Sequence, residues 1–255
     1  MSQALLIIAG PCAVESPAQL DAIASSLQKL GITHLRANIF KPRTSPSSFQ
    51  GIEHNGIKII SSVAKKYHLK LVTEILDPDH LLLIAPIADI IQIGSRNMHN
   101  SALLKKIAQA HLKNPILLKR GFAATKQEVL GAINYLKEYG HQGEIILCER
   151  GIRTFTDGEY SRATLDLNFL AALKSDPLFH HRIIIDPSHA AGTAKLIEPL
   201  ALAGIAAGAD GLLIEVSLEP YLSQAQSDKE QHITPDVLKN IIQKSKQIHQ
   251  HINKK

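Results

Sequence analysis

Ionisable side chains stand directly after each of eight short apolar runs in the chain. They are Cys12, Glu15, Arg36, Lys41, Arg43, Glu74, Asp77, Arg96, Lys119, Arg120, Glu149, Arg150, Asp186, His189 and Glu215. A surface salt bridge is sufficient to explain any one of these residues. A set that recurs after every run instead indicates one polar site at which the ends of the runs converge.

The cations of this set suit small polyanionic substrates. Six of them could together neutralise two phosphate groups and a carboxylate: Arg36, Lys41, Arg43, Arg96, Lys119 and Arg150. Arginine binds such oxyanions through two parallel hydrogen bonds of fixed geometry. The sequence has no GxxxxGK[ST] loop and no GxGxxG turn after a strand, so the usual nucleotide-binding motifs do not support a nucleotide ligand.

A mixed set of sulfur, nitrogen and oxygen donors could form a metal site. Cys12, His189 and Glu215, with an acid from the following loop, supply the donor types for it. No compact pair such as CxxC or HExxH fixes the geometry. A single cysteine beside a Gly-Pro turn is more often structural, so spacing alone leaves both interpretations of Cys12 open.

Alternating strands and helices are needed to position these side chains. The apolar runs predict strands at residues 5–9, 34–39, 70–75, 89–93, 115–119, 144–148, 182–186 and 211–216. Helical spacing of apolar residues predicts helices at residues 17–30, 57–67, 101–111, 126–139, 193–207 and 236–249. Most of the strands are apolar on both faces, as is typical of parallel strands covered by helices. The repeated unit predicts an α/β protein with one domain over residues 1–255, a (β/α)8 TIM barrel.

Composition limits the partners of the protein. The chain has 255 residues, a net charge of +5, 4% aromatic residues and no tryptophan. Because its cations are dispersed, we predict no nucleic-acid binding. The apolar runs are too short to cross a bilayer, no basic region precedes the first run, and two cysteines cannot build a disulfide framework. We therefore expect a soluble cytoplasmic protein with reduced thiols and no membrane partner.

Seven segments, in order along the chain, resemble 3-deoxy-D-arabino-heptulosonate 7-phosphate (DAHP) synthases, in the subgroup related to 3-deoxy-D-manno-octulosonate 8-phosphate synthase. They are AGPCAVES (9–16), RANIFKPRTSPSSFQG (36–51), IQIGSRNMHN (91–100), LLKRGFAAT (117–125), ILCERGIRTF (146–155), IDPSHAAG (185–192) and GADGLLIEVS (208–217). The resemblance implies condensation of phosphoenolpyruvate with erythrose 4-phosphate and water, with release of phosphate, as the first step of the shikimate pathway.

The resemblance also implies a divalent metal ion and its ligands. Cys12, His189 and Glu215 match the family's metal ligands by their positions in the motifs. Asp228 of the QSDKEQ segment corresponds to the fourth ligand, in a loop longer than is usual in the subgroup. Manganese is the expected metal, with iron, cobalt or zinc as alternatives, because this donor set accepts each of them.

The same resemblance implies the substrate contacts. Arg96, Lys119 and Arg150 match residues that bind the phosphate of phosphoenolpyruvate. Arg36 and Lys41 match those near its carboxylate and the reacting centre. Arg43, Thr44 and Ser45 fall where erythrose 4-phosphate is bound. Glu74 and Glu149 are expected to position water or a neighbouring cation.

Two other functions remain as alternatives. The sister enzyme uses arabinose 5-phosphate and carries a KANRS-type segment where this chain has KPRTS at residues 41–45, which favours the erythrose enzyme. A barrel that binds phosphosugars without condensing them is the second alternative. The presence of Cys12, Lys41 and His189 argues against that barrel.

Assembly and regulation can be predicted from the same comparison. By resemblance, we expect a homotetramer. Because the predicted strands and helices occupy nearly the whole sequence, we expect no appended regulatory domain. Feedback inhibition by aromatic amino acids at such a domain is then not expected.

Overall fold

Eight parallel strands close into a barrel in chain order, with the last strand hydrogen-bonded to the first. The computed structural model describes residues 4–42, 45, 47–155, 158–219 and 221–253. The strands are β1 (Leu6–Gly10), β2 (His34–Arg36), β3 (Lys70–Ile75), β4 (Ile90–Ile93), β5 (Ile116–Lys119), β6 (Ile145–Glu149), β7 (Ile183–Ile185) and β8 (Gly211–Glu215). The predicted (β/α)8 barrel is confirmed.

The second strand ends at Arg36, earlier than the apolar pattern predicts. Beyond that point side chains supply part of the hydrogen bonding between β2 and β3. The hydroxyl of Thr73 donates to the carbonyl oxygen of Ala37 at 2.8 Å. The side-chain oxygen of Asn38 accepts from the backbone N–H of Glu74 at 3.0 Å. Apolar composition alone does not reveal this exchange, which explains the difference in length.

Helices alternate with the strands along the chain. They are α1 (Pro17–Lys29), α2 (Gly56–Lys66), α3 (Leu81–Ile84), α4 (Ser101–Gln109), α5 (Lys126–Glu138), α6 (Leu167–Lys174), α7 (Pro187–Ala191), α8 (Ala194–Ala206), α9 (Tyr221–Gln224) and α10 (Pro235–Ile252). The six predicted helices correspond to α1, α2, α4, α5, α8 and α10. The others have at most 8 residues, too few to show a clear helical period. Among the described residues, no helix has both the length and the hydropathy of a membrane span.

The inward-facing side chains of the strands form two layers in the barrel interior, an apolar layer and, nearer the carboxyl ends of the strands, a polar layer. The apolar layer contains Leu6, Ile8, Val72, Ile90, Leu117, Ile146, Cys148, Ile184 and Leu213. Two positions further along, on the same inward face, stand Glu74, Gln92, Lys119, Arg150, Asp186 and Glu215. The strands thus fill the barrel with apolar side chains and present a polar layer, mostly of ionisable side chains, at their carboxyl ends.

Gly10, the last residue of β1, lies against the backbone of β2. A Cβ atom at Gly10 would stand 2.1 Å from the carbonyl oxygen of Arg36. We expect Gly10→Ala to lower the free energy of unfolding by about 1–3 kcal/mol, because strand pairing limits how far either backbone can move. The measurement is urea unfolding of the parent and the variant.

Gly131 in α5 provides a matched control, because a Cβ atom there meets nothing within 4 Å. Gly131→Ala should raise the free energy of unfolding by about 0.5–1 kcal/mol, since alanine restricts the unfolded chain and favours the helix. If Gly10→Ala were as stable as the parent, the close approach of β1 and β2 would be wrong.

Candidate active site

A cavity of about 610 Å³ opens at the carboxyl ends of the strands. Its lining includes Lys41, Arg96, Arg150, His189 and Asp228, which come from loops after five different strands. A smaller space of about 50 Å³ shares several of these residues and is also lined by buried side chains of the polar layer. The predicted convergence of ionisable strand ends therefore takes the form of a cation-rich cavity.

Four potential metal ligands lie together beside this cavity. The donor atoms of Cys12, His189, Glu215 and Asp228 all lie within 4.8 Å of one another. The sulfur of Cys12 is 2.9 Å from Oδ2 of Asp228, and Nε2 of His189 is 3.4 Å from Oε1 of Glu215. One sulfur, one nitrogen and two carboxylate donors fit a first-row divalent ion. The structure groups the four residues as the resemblance implied, and their binding of a metal stays a prediction.

Asp186 fixes the orientation of the His189 ring. Its Oδ2 atom is 2.7 Å from Nδ1 of His189 and 2.5 Å from Nζ of Lys119. Nε2 of the ring is thereby left facing Glu215. Burial lowers the pKa of His189 to about 4, so the ring is neutral at pH 7. A neutral imidazole held through its other nitrogen is the form that binds metal ions.

Two buried cations contact the ligand group. Nζ of Lys41 contacts the sulfur of Cys12 and lies 2.7 Å from Oδ2 of Asp228. The guanidinium of Arg36 pairs with Glu215 and lies 3.3 Å from the carbonyl oxygen of Cys12. Burial opposes the charge of Lys41, but the neighbouring Cys12 and Asp228 raise its pKa overall. Lys41 is therefore charged and lies between the ligand group and the cavity.

The remaining cations of the cavity differ in whether they have acidic partners. Arg162 pairs with Oδ1 of Asp228 at 2.8 Å. By contrast, no carboxylate oxygen of the described residues lies within 4.0 Å of Arg96, Arg150 or Arg153. Among the described residues, these three side chains have no acidic partner that would compete with an anionic ligand. Arg153 stands in the ERGIR motif and could have been found there, whereas Arg162 lies outside all the quoted motifs.

The comparison with known proteins assigns the family. The DAHP synthetase I family model matches residues 2–254. The chain belongs to the DAHP synthetase I family. It is 43% identical over 242 residues to phospho-2-dehydro-3-deoxyheptonate aldolase of Thermotoga maritima, covering 95% of this chain and 69% of the relative. The resemblance drawn from the motifs is confirmed.

Structural comparison supports the same DAHP synthetase I assignment. The crystal structure of a DAHP synthase from Thermotoga maritima superposes with a TM-score of 0.88 at 40% identity, covering 98% of this chain and 70% of that chain. A 2-dehydro-3-deoxyphosphooctonate aldolase of Desulfotalea psychrophila is 29% identical, covering 95% of this chain and 89% of the relative. Heptonate and octonate enzymes are thus both related to this chain, and its sequence identity to the heptonate enzyme is the higher of the two.

The structure describes only part of the segment that is predicted to bind erythrose 4-phosphate. Ser45 lines the cavity. Arg43 and Thr44 lie outside the described residues. Ser48, which the sequence analysis did not select, lines the same cavity as Ser45. The contact of this segment with a substrate remains a prediction.

The two predicted glutamates face different sides of the barrel. Glu74 lines the smaller cavity, where it accepts from the side chain of Gln92 at 2.7 Å. Glu149 follows the inward-facing Cys148 and therefore points outward, where it accepts from Arg120 at 2.9 Å. It also accepts from the backbone N–H of Gly151 at 2.7 Å. Glu149 lines neither cavity, and the cation beside it is Arg120.

The short turn that begins at Asp228 contacts two of the other candidate ligands. Gln231 donates through Nε2 to Oε2 of Glu215 at 2.5 Å. The Nε2 atom of His232 accepts from the backbone N–H of Cys12 at 3.2 Å. Gln231 and His232 are buried, and neither was found by sequence reasoning. Residues 228–232 therefore include the candidate ligand Asp228 and make hydrogen bonds to two others, Glu215 and Cys12.

Gln231→Leu is expected to weaken metal binding by about 10–100-fold, because Glu215 loses the donor that orients its carboxylate. Competition with a coloured chelator measures the affinity. Gln109→Leu at the exposed end of α4 is the control and should bind metal as the parent does. Parent-like affinity in Gln231→Leu would show that Gln231 does not prepare the ligand.

Proposed function

We propose that this chain condenses phosphoenolpyruvate with D-erythrose 4-phosphate and water to give DAHP and inorganic phosphate. The observation that carries the proposal is the position of Lys41, which contacts Cys12 and Asp228 of the ligand group and also lines the cation-rich cavity. A proton donor, a set of metal ligands and a polyanion site would thus meet at one place. The phospho-2-dehydro-3-deoxyheptonate aldolase of Thermotoga maritima is named for the same heptonate product.

The cavity offers separate positions for the charged groups of both substrates. Arg96, Lys119 and Arg150 would bind the phosphate of phosphoenolpyruvate, with Arg36 and Lys41 near its carboxylate. Ser45, with Arg43 and Thr44 of the same segment, would bind erythrose 4-phosphate. Two polyanions repel each other in water, and the cations offset this repulsion. Holding the reacting carbons together also replaces a bimolecular encounter by a local one.

The residues of the chain account for the proton and phosphate steps. A divalent ion held by Cys12, His189, Glu215 and Asp228 would supply Lewis acidity toward the aldehyde oxygen. As the methylene carbon of phosphoenolpyruvate bonds to the aldehyde carbon, Lys41 gives a proton to that oxygen.

The water oxygen then bonds to the central carbon of the former enol, and one of its two protons replaces the proton that Lys41 gave. When the bond between this carbon and the phosphate oxygen breaks, its electron pair leaves with the phosphate, which takes the second proton of the added water, so the products are a ketone and inorganic phosphate. The guanidinium groups of Arg96 and Arg150 stabilise the phosphate as it leaves.

The finer expectations belong to this proposal as well. Manganese is the proposed metal, with iron, cobalt or zinc as alternatives, and the proposed assembly is a cytoplasmic homotetramer. Residues 1–255 are proposed to form one catalytic barrel domain. Metal analysis and light scattering of the purified protein would test the metal and the assembly.

The deciding experiment is phosphate release by Mn²⁺-reconstituted protein given phosphoenolpyruvate. Erythrose 4-phosphate and arabinose 5-phosphate are supplied in parallel reactions, each with an EDTA control. Release with erythrose 4-phosphate that EDTA abolishes is the expected result. Preference for arabinose 5-phosphate would mean that the KPRTS segment was misinterpreted, and no release with either sugar would favour a barrel that only binds phosphosugars.

A further inference from the structure

The ring of Phe122 has three guanidinium groups around it. Their central carbons lie 4.6 Å from the ring centroid for Arg150, 5.3 Å for Arg153 and 5.6 Å for Arg96. Each distance is within the ~6 Å over which the face of an aromatic ring attracts a cation. The backbone N–H of Arg153 also donates to the carbonyl oxygen of Phe122 at 2.8 Å. Phe122, in the loop after β5, therefore links the loops after β4 and β6.

These arginines are held differently from the deeper cations of the cavity. Arg36 and Lys119 are fixed by ion pairs with Glu215 and Asp186. In the described part of the chain, no acidic side chain forms such a pair with Arg96, Arg150 or Arg153. Three neighbouring guanidinium groups without acids repel one another. The negative face of an aromatic ring offsets part of that repulsion without occupying their hydrogen-bond donors.

Arg150 has a hydrogen-bond donor that the described residues leave unpaired. The residue is 4% exposed, and its buried Nη1 atom has no hydrogen-bond partner among the described residues. Burial lowers its pKa from the usual value. A buried donor without an acceptor is costly, and a bound oxyanion would remove that cost. Arg150 lines both cavities, as do Arg96 and Phe122.

We propose that Phe122 is a positioning residue that assembles Arg96, Arg150 and Arg153 into one phosphate-binding site, in which Arg153 is a further direct ligand of the phosphate. The motif resemblance assigned Arg96 and Arg150 to the phosphate of phosphoenolpyruvate but gave no role to Arg153 or Phe122. The inference rests on the proposed function only in naming the compound that carries this phosphate. An aromatic ring suits the task because a carboxylate here would compete with the substrate.

Calorimetric titration of the Mn²⁺-loaded protein with inorganic phosphate and with phosphoenolpyruvate tests the site. Phe122→Leu should raise the Kd for both anions about 10-fold, because several weak cation–ring contacts are lost together. Phe122→Tyr retains the ring and should stay within about 3-fold of the parent. In steady-state kinetics, Phe122→Leu should raise the KM for phosphoenolpyruvate and also lower kcat, because Arg96 and Arg150 stabilise the departing phosphate, while the KM for erythrose 4-phosphate should stay nearly unchanged.

Arg153→Gln provides an independent test, since Arg153 is exposed and its replacement does not disturb the core. It should also raise the Kd for phosphate about 10-fold, and Arg153→Lys should restore part of the affinity. Parent-like phosphate binding in Phe122→Leu or Arg153→Gln would overturn the inference. So would an equal loss of metal, both substrates and thermal stability in Phe122→Leu, because that pattern marks a general structural role.

The phosphate titration also separates this inference from the proposed function. If the parent protein binds phosphate and the variants weaken it, but phosphoenolpyruvate and erythrose 4-phosphate give no product, the proposed function fails and the three-arginine site stands. If product forms while the variants bind phosphate normally, the site is wrong and the function stands.

Discussion

Lys41→Met is expected to lower kcat by about 100- to 10,000-fold, because it removes the group that gives a proton to the aldehyde oxygen. Methionine keeps most of the unbranched stem and removes the charge. Metal affinity should not fall, since the Lys41 ammonium contacts the sulfur of Cys12 and a carboxylate of Asp228 and opposes a second cation there. Steady-state kinetics together with metal titration would show this separation.

Two further variants sharpen the test of Lys41. Lys126→Met removes a lysine whose ion pair with Asp176, at 2.7 Å, is exposed, so kcat should remain that of the parent. Lys41→Arg keeps the charge but provides a larger and much weaker acid, and it should not restore activity. A Lys41→Met enzyme that retained more than about a tenth of the parent kcat would exclude Lys41 as the proton donor.

The barrel could be predicted because its strands carry a local signal. Buried parallel strands are continuous apolar runs, and β3 was predicted with the same ends that the structure shows. The end of β2 was not predictable, because it depends on contacts of Asn38 and Thr73 with a neighbouring strand. Short helices such as α7 have too few residues to show a period.

The candidate site was predictable only where a motif or a strand end marked a residue. Cys12 and Glu215 stand at such positions. His232 does not, because its contact with Cys12 joins residues 220 positions apart. Phe122 lies in the LLKRGFAAT motif but has no ionisable group, and its contacts with three arginines join it to other loops. Such contacts arise when the barrel closes and brings separate loops together.

The two cysteines of the chain allow metal binding and folding to be separated. Cys12→Ser should weaken metal binding more than about 100-fold. Losing a residue that only contacts a ligand already costs about 10–100-fold in metal affinity, and losing the ligand itself should cost more. A serine hydroxyl does not ionise as a thiol does, so the softest donor of the set is lost. Activity at limiting metal should fall by a similar factor. Unfolding should change little, because Lys41 and Asp228 place polar groups around this position.

Cys148→Ser is the matched control, since Cys148 is equally buried but belongs to the apolar layer of the barrel interior. Its new hydroxyl should lower the free energy of unfolding by about 1–3 kcal/mol, with metal affinity unchanged. If the ligand assignment holds, chelator competition shows weaker metal binding only in Cys12→Ser, and urea unfolding shows lower stability mainly in Cys148→Ser. If Cys12→Ser bound metal as tightly as Cys148→Ser, the sulfur of Cys12 would not be a ligand, and the centre would consist of His189, Glu215 and Asp228 alone.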